Sequence, residues 1–148
     1  MSDADPTAGW LDGREHVLPV RIYYEDTDFT GVVYHANYLR YFERGRSDFF
    51  RLVGISHTGL LEGPEPTAFT IIRLELDYKR AARVDDALTV RTTYDSVKGA
   101  RLMVSQRMLR GEELIAEAQL QAVCIDMSGR AKRPPATMVE RLRPYFAT

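Results

Sequence analysis

The stretch that decides the fold covers residues 24–43 and reads YEDTDFTGVVYHANYLRYFE. Val20, Ile22 and Tyr24, which lead into this stretch, alternate with Arg21, Tyr23 and Glu25. This alternation predicts a half-buried strand over residues 17–25. After it, apolar residues recur at helical spacing over residues 36–53, and this predicts the longest helix of the chain. An acidic loop therefore connects a strand to a helix.

The residue types in this loop suit chemistry on a carbonyl group. Asp26 and Asp28 follow the strand, Gly31 allows a tight backbone turn, and residues 35–37 open the helix. A helix start offers unpaired N–H groups and partial positive charge, which stabilise an oxyanion. A neighbouring carboxylate can act as base or nucleophile. The combination predicts an active site for acyl transfer.

The rest of the chain predicts a sheet that packs against this helix. Gly54 ends the helix, and residues 56–66 are rich in glycine and proline, which favours a loop. A last short helix is predicted from Thr137 and Glu140, which have capping-box spacing. Period-two alternation predicts strands over residues 72–79, 88–95, 102–109 and 114–125 in an antiparallel meander. The fold class is α+β, with a sheet curling round one long helix.

Composition limits the classes of function. The chain has 148 residues, and we expect one domain over residues 16–148 after a flexible tail over residues 1–15. A net charge of −1 gives no general attraction to nucleic acid. The single cysteine, Cys124, is expected to be a core thiol. The sequence shows neither a secretory signal nor a long apolar run, so the expected location is cytoplasmic.

Three segments carry a family resemblance. The run RIYYEDTD at residues 21–28, followed by GVVYHANY at 31–38 and YFE at 41–43, resembles the hotdog-fold acyl-CoA thioesterases related to 4-hydroxybenzoyl-CoA thioesterase. Within that family it is most similar to the bacterial branch associated with the Tol-Pal envelope system. The resemblance implies a hotdog fold, an antiparallel sheet wrapped around one long central helix. It also implies dimers joined through sheet edges, often paired into homotetramers, with the substrate at a subunit interface.

The resemblance assigns roles to single residues. Asp28 aligns with the family's catalytic acid and is expected to act as base or nucleophile in hydrolysis of an acyl-CoA, without a cofactor. His35 is expected to contribute its backbone N–H to the thioester carbonyl. Asp26 is expected to be structural, because aspartate commonly holds local N–H groups in turns. Glu43 is a second, weaker candidate for the acid, since some hotdog thioesterases place it on this helix.

Other assignments stay open from sequence. Lys79, Arg80, Arg83, Lys98 and Arg101 form two basic clusters that could bind CoA phosphates, although solvated surface charge is the commoner explanation. Asp26, Asp28, Glu43 and His35 could instead hold a divalent metal, but only a DxD spacing supports this. A third alternative is a non-catalytic acyl-CoA-binding or scaffold protein that serves envelope or lipid-synthesis partners. The acyl group is not determined, although residues 54–66 and 69–71 could border its pocket.

Overall fold

The computed structural model describes residues 5–147, which form one antiparallel sheet with a long helix against it. The six strands lie in the order β1-β2-β4-β5-β6-β3. The predicted α+β class and the long helix are confirmed, and no helix within residues 5–147 is long and apolar enough to cross a bilayer. The bounds are β1 Trp10–Asp12, β2 Glu15–Arg21, α1 Asn37–Leu52, α2 His57–Glu62, β3 Ala68–Tyr78, β4 Ala87–Lys98, β5 Arg101–Arg110, β6 Glu113–Ile125 and α3 Ala136–Leu142, with 3-10 turns at Tyr24–Asp26 and Arg143–Tyr145.

Helix α1 buries its apolar stripe against the sheet. Tyr38, Phe42 and Phe49 are all at most 3% exposed. Gly45 lies at the closest approach of helix and sheet, where an added Cβ would come within 2.8 Å of Val90 Cγ1. The absence of a side chain at this position therefore lets α1 lie directly on β4.

A buried polar cluster ties the N-terminal part of the sheet to α1. His16 Nε2 lies 2.7 Å from Asp48 Oδ2, which also accepts a 2.8 Å hydrogen bond from the Gly9 N–H. Arg51 donates to the other oxygen of Asp48 at 3.0 Å. Burial lowers the pKa of His16, and the hydrogen bond to Asp48 opposes that shift. The neutral imidazole donates through Nε2, which leaves only an acceptor nitrogen, Nδ1, without a partner.

Two predictions about the first 25 residues need correction. Trp10–Asp12 form β1 and pair with β2, so this part of the predicted flexible tail lies in the sheet; residues 1–4 lie outside the described residues. The first long strand was predicted over residues 17–25, but β2 ends at Arg21. The chain turns at Tyr24–Asp26 because the Asp26 carboxylate accepts the Tyr23 N–H at 2.8 Å.

The segments after α1 differ from expectation in three ways. The predicted loop over residues 56–66 contains α2, whose first turn is capped by the Ser56 hydroxyl. The predicted last helix is present, but it begins after Pro135 without a side-chain cap. The prediction that Thr137 and Glu140 form a capping box is therefore wrong. Strands β4, β5 and β6 form the predicted meander, whereas β3 pairs with β6 at the far edge of the sheet. This leaves the other edge of β3 unpaired within the described chain.

Candidate active site

Asp26 anchors the start of the loop to the start of α1. Its carboxylate accepts the Tyr23 N–H through one oxygen and the Asn37 side-chain amide, at 3.2 Å, through the other. Its backbone carbonyl accepts the Tyr34 N–H at 2.9 Å. Both carboxylate oxygens of Asp26 are thus engaged in local structure, in agreement with the expected structural role.

Asp28 lies at the tip of a small hairpin. Thr27 and Val33 pair across it, the Asp28 N–H donates to the Val32 carbonyl at 2.9 Å, and Gly31 takes a φ of +83° to make the turn. The hairpin docks on the chain before β4 through a bridge between Val32 and Arg83. The position of Asp28 is therefore fixed by backbone pairing on both sides.

The Asp28 carboxylate is held on one side and open on the other. Its Oδ1 accepts hydrogen bonds from the Thr30 hydroxyl at 2.6 Å and the Thr30 N–H at 2.8 Å. The Thr30 side chain, followed by its backbone N–H, lowers the pKa of Asp28, and the charge of a protonated His35 would lower it further. The two hydrogen bonds found to this carboxylate within residues 5–147 both go to Oδ1, and the Val32 backbone adds only the smallest lowering of its pKa. Oδ2 is the oxygen left to meet water or a substrate.

Two backbone N–H groups at the start of α1 are not used in hydrogen bonds within residues 5–147. The Asn37 N–H donates to the Tyr34 carbonyl at 2.8 Å, whereas the His35 and Ala36 N–H groups make no hydrogen bond within the part of the chain described. The His35 carbonyl accepts the Tyr78 hydroxyl at 2.7 Å. The exposed His35 ring lies beside that of Tyr34, with 4.6 Å between centroids. The helix start therefore offers backbone donors for a carbonyl oxygen, and the Asp28 carboxylate lies on the hairpin that leads into this helix start.

The remaining candidates on α1 lie further from Asp28 along the chain. Tyr38 and Tyr41 are buried, as their helical spacing predicts, and the Tyr38 oxygen accepts the Ala82 N–H at 3.2 Å. Glu43 is exposed and lines the rims of two surface cavities. Among residues 5–147, no three His, Cys, Asp or Glu side chains gather to hold a metal ion, so the alternative ligand set of Asp26, Asp28, Glu43 and His35 does not come together.

The basic candidates separate into paired and unpaired side chains. Lys79 lies 3.7 Å from Glu117, and Arg80 lies 3.1 Å from Glu113. The Arg83 guanidinium has no ion pair among the described residues, and its backbone bridges to the Asp28 hairpin. Lys98 and Arg101 face each other at the β4–β5 turn, at the far end of β4 from Arg83.

A cavity of about 370 Å³ lies between α1, α2 and the first half of β3. Phe50, His57 and Phe69 form an aromatic group on its wall, with 5.4 Å between the Phe50 and His57 centroids. Phe69 and Ile71 line it, as the sequence suggested, and so does His57, which lies in the suggested range 54–66 although that range was taken for a loop rather than a helix. Cys124 is not among the cavity residues, and burial raises the pKa of its thiol to about 11, which fits the expected core thiol.

Comparison with known proteins places this geometry in a family. The model of the thioesterase-like superfamily matches residues 22–142. The acyl-CoA thioesterase YbgC of Haemophilus influenzae is 39% identical over 129 residues, which is 87% of this chain and 92% of that protein. A probable thioesterase from Bartonella henselae is 39% identical with a TM-score of 0.79, over 82% of this chain and 99% of that one.

A 4-hydroxybenzoyl-CoA thioesterase, crystallised with 4-hydroxybenzoyl-CoA, shares the fold at 21% identity, with a TM-score of 0.79 over 87% of this chain and 99% of that one. The predicted hotdog architecture is confirmed by these structural neighbours. With a family match over most of its length and relatives close to 40% identical, the chain belongs to the thioesterase-like superfamily.

Proposed function

We propose that the chain is an acyl-CoA thioesterase in which Asp28 is the catalytic carboxylate and the start of α1 holds the thioester carbonyl. The observation that carries the proposal is the open Oδ2 of Asp28, presented by a hairpin that is tied through Asp26 and Asn37 to a helix start with unused N–H groups. The YbgC proteins named acyl-CoA thioesterases support the reaction class. They do not favour the alternative of a non-catalytic binding protein.

The reaction adds water across the thioester C–S bond. The N–H groups of His35 and Ala36 stabilise the oxyanion that forms on the carbonyl oxygen. In one route Asp28 takes a proton from water, whose oxygen attacks the carbonyl carbon; the tetrahedral intermediate then collapses, the C–S bond breaks, and the CoA thiolate leaves and takes up the proton from Asp28. In the other, Oδ2 attacks directly, CoA leaves as thiolate, and water then breaks the resulting anhydride. Both routes release the free acid and CoA and regenerate the carboxylate.

The aromatic cavity is a good candidate for the acyl group. Leu39, Glu43 and Phe50 lie on one face of α1 by helical spacing, and this face leads from the helix start to the cavity. Glu43, at the rim, is six residues beyond Asn37, which corresponds to about 9 Å along the helix. A volume of about 370 Å³ lies within the range of small-molecule pockets. Its deep wall of Leu102, Val104 and Ala122 is apolar, as an acyl tail requires.

For the CoA phosphates, the geometry favours Arg83 over the other basic candidates. Arg83 has no ion pair among the described residues and is adjacent to the hairpin of Asp28, whereas Lys79 and Arg80 each lie beside a glutamate on the surface. Lys98 and Arg101 are at the other end of the sheet, and could reach the site only from a neighbouring subunit. Three further expectations remain predictions: a dimer or homotetramer, a cytoplasmic location, and Tol-Pal or lipid-synthesis partners. Hydrodynamic mass, cell fractionation and co-purification test them in turn.

The deciding experiment measures release of CoA thiol from a panel of aliphatic and aromatic acyl-CoAs by the wild type and Asp28→Asn, with folding of both checked by circular dichroism. Turnover by the wild type and a loss of at least about 100-fold in the variant are expected, as for an essential acid–base group. Arg83→Glu should raise KM for acyl-CoA more than KM for a short thioester without the nucleotide, with Arg80→Glu as control. Binding of acyl-CoA without turnover of any substrate would favour the scaffold alternative.

A further inference from the structure

A hydrogen bond joins the end of a strand to the start of α1. Tyr78 is the last residue of β3, and its hydroxyl donates to the His35 carbonyl at 2.7 Å. The ring packs edge-on against Tyr38, with 5.2 Å between centroids, and is 48% exposed. Tyr78 and His35 are 43 positions apart, so this bond is a tertiary contact, and it reaches the backbone two residues before Asn37, the first residue of α1.

The acceptor of this bond belongs to a peptide group that also carries a helix-start donor. The His35 carbonyl and the Ala36 N–H are two ends of the same peptide unit. A hydrogen bond accepted by the carbonyl polarises the unit and strengthens its N–H as a donor. The preceding peptide unit, between Tyr34 and His35, has the same arrangement: its carbonyl accepts the Asn37 N–H, and its His35 N–H makes no hydrogen bond within residues 5–147. In both peptide units the N–H is free while the carbonyl accepts a hydrogen bond.

We propose that Tyr78 is a positioning residue for the reaction proposed above: its hydroxyl orients and polarises the His35–Ala36 peptide so that the Ala36 N–H stabilises the oxyanion. The inference rests on the proposed function and adds to it a side chain outside the loop and helix that carry the chemistry. Burial raises the pKa of Tyr78, so the hydroxyl remains a donor throughout the neutral pH range. The ring contact with Tyr38 is a separate, purely structural role of the same residue.

Tyr78→Phe separates the two roles because it removes the hydroxyl and keeps the ring. We expect kcat to fall about 3- to 10-fold, the scale of one net hydrogen bond, and less than the 10²–10³ that loss of a direct oxyanion donor costs. The oxyanion exists only in the transition state, so KM should stay within about twofold. Tyr145→Phe is the matched control: its ring also packs on an aromatic residue, Phe49, far from the loop, and it should leave kcat unchanged.

A second measurement distinguishes positioning from packing. A CoA thioether that has CH₂ in place of the carbonyl should bind the wild type and Tyr78→Phe equally, because it has no oxygen for the Ala36 N–H. Wild-type kcat in Tyr78→Phe, or weakened binding of the thioether in parallel with the loss of kcat, would overturn the inference. If Asp28→Asn is inactive while Tyr78→Phe is normal, only this inference fails. If the wild type hydrolyses no thioester, the proposed function fails and the inference with it.

Discussion

Asp28 shows how one neighbouring side chain can set the ionisation of a carboxylate, here the one proposed to be catalytic. Thr30 supplies two donors to Oδ1, and its hydroxyl is the larger cause of the lowered pKa. A base must be ionised to act, so a lowered pKa keeps Asp28 ready over the whole neutral range. A lowered pKa also makes Asp28 a weaker base. This slows the route in which Asp28 takes a proton from water more than the route in which its oxygen attacks the carbonyl carbon, because a nucleophilic carboxylate depends less on proton affinity.

Thr30→Val should move the acidic limb of the kcat/KM profile to higher pH. Valine keeps the shape of threonine and the backbone N–H donor but lacks the hydroxyl, so the pKa of Asp28 rises toward its ordinary value of 3.8. The direction follows because protonation inactivates the carboxylate. The measurement is kcat/KM against pH for one acyl-CoA, with Thr89→Val on β4 as a control that should leave the limb in place. An unmoved limb in Thr30→Val would show that Asp28 does not control activity.

Sequence reasoning found the acidic residues but not their partners. Asp26 and Asp28 are recognisable because they follow a strand pattern and precede a glycine and a helix start. Thr30 could have been suspected from its spacing of two from Asp28, which is common in turns that aspartate stabilises. Tyr78 could not have been found, because its contact with His35 depends on how β3 passes the helix start. A single sequence does not contain that distance.

Among the elements, β2 and α1 are joined by a buried hydrogen bond as well as by apolar packing. His16 and Asp48 are 0% and 3% exposed, and their hydrogen bond lies next to the Phe49 ring, 5.6 Å from the imidazole centroid. In the unfolded chain His16 takes up a proton near its ordinary pKa of 6.5, whereas burial in the folded protein lowers that pKa. The unfolded state therefore binds more protons on acidification, and folding stability falls as the pH drops below about 6.5.

His16→Gln should flatten this pH dependence. Glutamine keeps a side-chain amide that can donate to Asp48 but does not titrate, so the contribution of one proton, at most about 1.4 kcal/mol per pH unit, disappears. The measurement is the free energy of unfolding in urea between pH 5 and pH 7. His35→Gln, at an exposed position, should retain the wild-type slope. Equal slopes for the wild type and His16→Gln would contradict the sign or the source of the effect.

The accuracy of the element predictions followed the strength of the local pattern. Helix α1 was predicted to within one residue at each end, because its apolar stripe is long and Gly54 ends it with a φ of +84°. Helix α2 was missed because Gly59, Pro64 and Pro66 suggest a loop, while the cap from Ser56 is a weak signal. Strand β1 has only three residues and depends on pairing with β2, which composition does not reveal.

At the scale of the whole molecule, β3 exposes apolar side chains and an unpaired edge that nothing in the single chain covers within residues 5–147. It is 11 residues long and, within residues 5–147, pairs only with β6, yet Ile71, Ile72 and Leu74 on it are 38–49% exposed. Long apolar edge strands are normally covered or paired, because open N–H and carbonyl groups invite another strand. The alternation in its sequence predicted a strand but could not show that the strand is at an edge. The resemblance implies dimers joined through sheet edges, and we propose a second copy of the chain as the partner of this edge.

Leu74→Glu should convert the protein to a monomer. The midpoint of β3 is residue 73, so antiparallel pairing of two copies across this edge brings residue 74 close to its own copy, where two glutamates repel each other. Sedimentation should give the wild type a mass of at least twice the 16.9 kDa of the chain, and Leu74→Glu a mass of 16.9 kDa. Because the cavity opens beside the start of β3, kcat/KM should fall with the dimer. Leu52→Glu on α1 is the control, because Leu52 is 39% exposed against 38% for Leu74, and it should keep both mass and activity. A wild-type mass of 16.9 kDa, or a Leu74→Glu variant that is still a dimer, would show that β3 forms no such interface.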